Sequence, residues 1–328
     1  MGIGAYNINR EVSMDLEIKR RLRLQKQYIN FERSRNQEDL KVLTSKTLFG
    51  EELKSAIKKK KPTVKFIQDT STSKDDEYVF VTSDFHYNGD ETLLQHLGNV
   101  YGKIIEKQKQ FKFKRIKLLE LGDTIDGGAL RTSQLMAIKK GMVFQIVDVS
   151  KVYADLIDRL SKKMKVEFYC ITSSNHTQLR PLGTDRNELV EEDLMHVFYQ
   201  YIKESVKNNR NVIVWGGNDL IVPITPKHNM FVAHGHLIGN KKEGYLQEIA
   251  YYRGVQFDYG LFGHFHHYRE VTLYEGDGCN KKVFYAPSMS TVKTNYESDK
   301  NLSSKAGMLM MVFNAKRGHR YCEELFIE

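Results

Sequence analysis

The chain has 328 residues, 41% hydrophobic and 28% charged, which is enough apolar material for a real core in one large or two small domains and excludes a disordered or collagen-like chain. Its formal net charge is +9, and that charge is unevenly spread along the chain. Cys170, Cys279 and Cys322 are odd in number, widely spaced and lack any CxxC pair, which indicates neither a disulfide framework nor a thiolate zinc site and fits a reducing cytoplasm.

The opening MGIGAYNINR has no signal-peptide core and no myristoylation Ser/Thr, and no apolar run approaches the ~20 residues that span a bilayer. No membrane partner is expected. Residues 11–61 read as helical, with Val12, Leu16, Leu22 and Ile29 among long charged side chains and the basic clusters KRRLRLQKQ and KKKKP. Residues 1–75 hold 17 Lys/Arg against 10 Asp/Glu, a surplus of +7, whereas the remainder carries only +2. A basic appendage of this kind suits a polyanion such as DNA, and an ordinary solvated helical face accounts for it equally. Pro62 and the polar run QDTSTSKDDE then mark residues 62–77 as a linker. The pattern divides the chain into a basic helical region over 1–61, that linker, and a main domain over 78–328.

From residue 78 short β-rich runs alternate with helical stretches. The predicted strands are YVFVTS, RIKLLEL, VEFYCIT, NVIVW, MFVAH and YGLFGH, and the predicted helices occupy residues 91–110, 133–163 and 187–207. Alternation of this kind predicts an α/β domain whose strands deliver their C-terminal ends to one rim. The tail differs: VTLYEGDG, KKVFYAPS, GMLMMVFN and EELFIE follow without long helices and predict a closing antiparallel sheet.

Just past the strands lie the donors. Asp84 and His86 follow the first, Asp123 and Asp126 the second, Asn175 and His176 the third, His234 and His236 a fourth, and His264, His266 and His267 a fifth. A lone strand-end histidine is more often structural, but five strand ends with metal-competent groups predict convergence on one site. Carboxylate, amide and imidazole without thiolate suit Mn²⁺, Fe or Zn²⁺. About seven donors exceed what one ion uses, so two divalent ions are expected, Mn²⁺ first among them. The glycines of LGD and FGH fit a crowded site where a Cβ would intrude.

The ordered blocks Asp84-x-His86, Gly122-Asp123-x-x-Asp126, Asn175-His176, His234-Gly235 and Gly263-His264-x-His266 resemble the calcineurin-like metallophosphoesterase superfamily over residues 78–290. Within it the chain is most similar to the nuclease branch of Mre11 and SbcD type proteins and phage DNA repair exonucleases. The resemblance implies a four-layer β-sandwich flanked by helices. It implies one metal on Asp84, His86 and His266, a second on Asn175, His234 and His264, and Asp123 bridging both. His176 would stay off the metals as general acid or charge stabiliser, oriented by Asp126; as a plain residue of the turn TIDGG, Asp126 has a second reading. Two departures stand out. Ser174 replaces the usual glycine before Asn175-His176, and Gly127-Gly128 stand where phosphoprotein phosphatases carry an arginine, which disfavours a protein phosphatase.

Arg180 and Arg186, in the loop after His176, are candidates for phosphate contact, while His236 and His267 read as passive neighbours. The function implied is hydrolysis of DNA phosphodiesters by metal-activated water in the cytoplasm of a bacterium or phage-infected cell, to which a Lys-, Asn- and Ile-rich composition is suited. Alternatives are a phosphodiesterase or phosphatase for small nucleotides, and a non-hydrolytic nucleic-acid-binding protein on the same fold. Nothing in the sequence decides between monomer and homodimer.

Overall fold

A computed structural model describes residues 76–127, 138–179, 191–238, 242–276, 279–290 and 305–327, all within the compact unit Ala56–Glu328. The basic region 1–61, most of the linker, and the loop with Arg180 and Arg186 lie outside the described residues. The elements are β1 (Asp76–Thr82), α1 (Glu91–Phe111), β2 (Arg115–Glu120), α2 (Met142–Ser161), β3 (Lys165–Ile171), α3 (Leu194–Val206), β4 (Val212–Gly217), β5 (Asp219–Thr225), β6 (His228–Ala233), α4 (Lys242–Arg253), β7 (Tyr259–Phe262), β8 (Arg269–Gly276), β9 (Cys279–Tyr285), β10 (Gly307–Asn314) and β11 (Gly318–Phe326). Because β1 starts at Asp76, the last two residues of the expected linker are already strand.

Two sheets result. The first has the order β11-β10-β1-β2-β3-β4 and the second β5-β6-β7-β9-β8. Strands β1 to β4 run parallel, and so do β6, β7 and β9. Strands β1, β2, β3 and β7 are covered on both faces and read as largely apolar runs, whereas the terminal strand β4 leaves Ile213 and Trp215 exposed. In β1, Val79 and Val81 face the second sheet, where Val222, Val232, Leu261 and Phe284 meet them in one core. The alternate residues Tyr78 and Phe80 turn the other way and stack on Phe113. Helices α2 and α3 close that outer face through Tyr153, Phe168 and Phe198. On the far side, α4 lays Leu246 against Phe231, Phe262 and Tyr285 of the second sheet. The chain is therefore a mixed α/β fold of two sheets flanked by helices.

Three expectations needed correction. The tail does not form a sheet of its own: β10 and β11 complete the first sheet, with β10 antiparallel to β1, while β8 and β9 complete the second. Strand β5 was not expected, because Pro223 interrupts its pattern; as the terminal strand of its sheet it tolerates the missing N–H. Helix α4 was not expected either, since Gly244 and a run of aromatic and charged residues hide its short apolar stripe.

Candidate metal centre

The C-terminal ends of β1, β2 and β3 meet those of β6 and β7 along the seam between the sheets. Beyond β1 and β2 the chain keeps a parallel pairing after the strands have formally ended: Asp84 N–H donates to Gly122 O, His86 N–H to Asp123 O, and Tyr87 N–H to Thr124 O, each at 3.0 Å. Holding that pairing while aiming side chains inward demands unusual backbone. Asp84, His86, Asp123, His264 and His266 all have φ between 50° and 68°, and Lys112 is the one other non-glycine with positive φ among the described residues. Left-handed conformations cost non-glycine residues free energy, and they gather where a site over-determines them. A segment crossing between the sheets locks the two halves. Ser288 N–H donates to His266 O at 3.2 Å, Ser288 Oγ–H to Asp84 O at 2.8 Å, and Met289 N–H to Ser83 O at 3.0 Å.

Both buried aspartates divide their oxygens in the same way. Asp84 Oδ2 accepts from His264 N–H at 2.9 Å and from Ser83 Oγ–H, leaving Oδ1 3.5 Å from His266 Nε2 and 3.8 Å from His86 Nε2. Asp123 Oδ1 accepts from His176 N–H at 2.9 Å, leaving Oδ2 3.0 Å from His234 Nε2 and 3.9 Å from His176 Nε2. One oxygen orients; the other is presented. The presented atoms fall into triads whose ligand atoms lie within 4.8 Å of one another: Asp84, His86 and His266; Asp123, His234 and His264; and between them His86, Asp123 and His176. Asn175 adds its Oδ1, 3.0 Å from His234 Nε2. Asp123 and His86 each belong to two of these triads.

The hydrogen-bonding pattern calls for a cation. His234 Nδ1 donates to Leu121 O at 2.9 Å, so a neutral ring carries its lone pair on Nε2, where the Asp123 and Asn175 oxygens both lie at 3.0 Å. A lone pair among oxygens is repulsive unless a proton or a metal sits between them. Similarly, His86 Nε2 and His266 Nε2 face each other at 3.1 Å beside the Asp84 carboxylate. Titration follows the same logic. Burial opposes charge on Asp84, but His266 and His234 hold its carboxyl well below the usual range. Burial and the neighbouring His176 and His266 push His86 down to about 3, while burial and His234 push His264 down to about 4. Burial works against a charged His234, yet Asp123 draws it up to about 9. Two rings are thus kept neutral, with lone pairs to offer, and one keeps a proton among the oxygens. The buried His/Asp clusters fit a metal.

His176, a member of the middle triad, sets its ring nearly perpendicular to that of His86 with the centroids 4.5 Å apart. Its Nδ1–H donates to the backbone carbonyl of Asp126 at 2.9 Å, and the Asp126 carboxylate lies 3.5 Å from the same nitrogen. Asp126 therefore orients His176 chiefly through its main chain. Against the cost of burial, Asp123 and Asp126 raise the affinity of His176 for a proton above that of ordinary histidine. The glycines are sterically required. A Cβ on Gly122, at φ +100°, would stand 2.8 Å from Ser174 Cβ and 3.2 Å from His234 Nδ1, and one on Gly263 would meet Ser83 Oγ and stand 3.0 Å from Asp84 Oδ2.

The Ser174 departure has a use. Its Oγ accepts from Asp123 N–H at 3.0 Å and meets Thr177 Oγ1 at 2.7 Å, while its N–H donates to Asp193 Oδ2 at 2.9 Å. Asp193, which caps α3 by accepting from Met195 N–H at 2.9 Å, escaped the sequence reading. It precedes an apolar helical run, which signals a cap, but nothing local links it to Asn175 and His176. His236, read as passive, is packed against His234 and His264 with ring centroids 5.4 and 6.5 Å away.

No protein-family model matches the chain. It is similar to the SPbeta prophage-derived uncharacterized protein YonJ of Bacillus subtilis (strain 168), 29% identical over 240 residues that cover 73% of this chain and 58% of that protein. The chain thus spans less than two thirds of the length of that relative. Among solved structures it is similar to Thermotoga maritima protein TM1076, with a TM-score of 0.32 and 10% identity over 76% of this chain and 99% of the other. It is also similar to GAP50, the anchor in the inner membrane complex of Plasmodium, with a TM-score of 0.31 and 14% identity over 78% and 90%. Among the described residues no helix is long and apolar enough to cross a membrane.

Proposed function

We propose that the chain is a dinuclear metal-dependent phosphodiesterase of the calcineurin-like metallophosphoesterase type, acting on DNA. One observation carries the reading: five strand ends from two sheets bring Asp84, His86, His266, Asn175, His234 and His264 around a shared Asp123, with His176 alongside. Asp84, His86 and His266 would hold one ion and Asn175, His234 and His264 the other, Asp123 joining them, with Mn²⁺ the first choice and Fe or Zn²⁺ alternatives. Two such ions supply Lewis-acid polarisation of a phosphoryl oxygen and activation of water. His176, fixed through Nδ1 by Asp126, presents Nε2 to the site and delivers its proton to the departing alkoxide oxygen. Arg180 and Arg186 would grip phosphate oxygens of the substrate. The choice of DNA is supported by the surplus of +7 in residues 1–75 and by the prophage origin stated for the relative.

The test uses the full-length, metal-free chain with Mn²⁺, Fe²⁺ or Zn²⁺, given labelled single-stranded and duplex DNA, cyclic mononucleotides and bis-p-nitrophenyl phosphate. Metal-dependent cutting of DNA is expected. His176→Ala should keep its metal content and lose roughly 10²–10⁴-fold in turnover, while Asp123→Asn should lose metal and activity together. Turnover of mononucleotides alone would move the substrate to small nucleotides. No hydrolysis with any of the three ions, or full rate in His176→Ala, would overturn the assignment.

A further inference from the structure

We propose that Glu270, His319 and Cys322 form a separate zinc site that fastens the outermost strands of the two sheets to each other. Glu270 belongs to β8, the terminal strand of the second sheet, and His319 and Cys322 to β11, the terminal strand of the first. Their ligand atoms lie within 4.8 Å of one another, and among the described residues no other group of this spacing lies away from the strand-end site. His319 Nε2 is 3.2 Å from Cys322 Sγ. Zinc bonds of ~2.3 Å to sulfur and ~2.0 Å to nitrogen in tetrahedral array put those two atoms roughly 3.5 Å apart, so the pair is already close to ligand spacing.

The surroundings hold His319 and Glu270 in place. The His319 ring is 8% exposed and wedged between Phe284 and Phe313, with centroids 4.8 and 5.4 Å away. Tyr268 O–H donates to Glu270 Oε2 at 3.1 Å and Lys282 Nζ pairs with Oε1, the kind of outer contact that orients a ligating carboxylate. Lys282 also adds a positive charge, which the thiolate formed on metal binding offsets. A sulfur, an imidazole and one carboxylate select zinc or cobalt over manganese, whereas the strand-end site has no sulfur. No sequence motif marks this cluster, because Glu270 lies far from the other two in the chain and no CxxC pair is involved.

Cobalt separates the two kinds of site, because the strand-end donors cannot produce a sulfur-to-cobalt charge-transfer band. Titrating the metal-free full-length chain with Co²⁺ should give that near-ultraviolet band, with an amplitude at saturation equal to one cobalt–thiolate bond per chain. The band should persist in Asp123→Asn, vanish in Cys322→Ser and be displaced by Zn²⁺. Glu270→Gln, which keeps both sulfur and imidazole, should weaken the binding read from this band at least tenfold, and it decides the matter if Cys322→Ser fails to fold by circular dichroism. Absence of the band in the wild-type chain, its survival in folded Cys322→Ser, or an unchanged titration of Glu270→Gln would overturn the proposal.

Discussion

The side chains at the rim were legible in the sequence because each follows an apolar run closely, but their backbone was not. Nothing in the letters of Asp84, His86 or Asp123 announces a left-handed conformation, which accompanies the pairing of β1 and β2 past their ends. Glu120 lay equally hidden. It is fully buried and Thr82 Oγ, Tyr153 O–H and Gly122 N–H surround it. Thr82 also reaches Leu119 O at 3.1 Å, and its single hydrogen cannot serve both acceptors. A protonated Glu120 resolves the conflict by donating to Thr82 Oγ, and burial accordingly raises its pKa to about 8. Between 4.5 and about 8 the folded chain keeps this proton and the unfolded chain does not, so the contribution to stability falls as pH rises through that window. The slope is at most about 1.4 kcal/mol per pH unit. Glu120→Gln, which mimics the neutral acid, should flatten it. Urea unfolding at pH 5, 6.5 and 8 tests this, and identical slopes in both proteins would refute a neutral Glu120.

At the level of elements, α3 does more than cover β3. Its cap residue Asp193 binds Met195 N–H with Oδ1 and Ser174 N–H with Oδ2, and the bridge Gln178↔Asp193 carries the same connection along the chain. The start of the helix and the loop bearing Asn175 and His176 are therefore one unit. Losing an N-cap typically costs ~1–2 kcal/mol, and here Ser174 N–H would also lose its acceptor in a buried place. Asp193→Ala is expected to destabilise the chain by about 2–3 kcal/mol in urea unfolding, with Asp193→Asn in between. A loss under about 0.5 kcal/mol in Asp193→Ala would show that the loop holds itself. Strands covered on both faces were readable as apolar runs, whereas β5 and α4 were not: one contains Pro223, the other Gly244, and each local rule is overridden by packing.

For the molecule as a whole, which sheet a strand joins is set by contacts that no local pattern encodes, and this is why the four tail strands were misread as one sheet. It also explains why the candidate centre lies on a seam. Ions bound there, to folded chain alone, would stabilise it by mass action, by about 2.7 kcal/mol at a hundredfold excess over Kd. Mn²⁺ should therefore raise the melting temperature of the wild-type chain and chelator should lower it, with Asp123→Asn responding far less; equal shifts in both would place the binding elsewhere. Each outer triad joins residues carried by different sheets: Asp84 and His86 with His266, and Asp123 with His234 and His264. The second can therefore close only once position 264 has been made, and the first only once position 266 has. A half-made product therefore owns only fragments of both outer clusters, and neither exists as a unit before the rest of the polypeptide arrives.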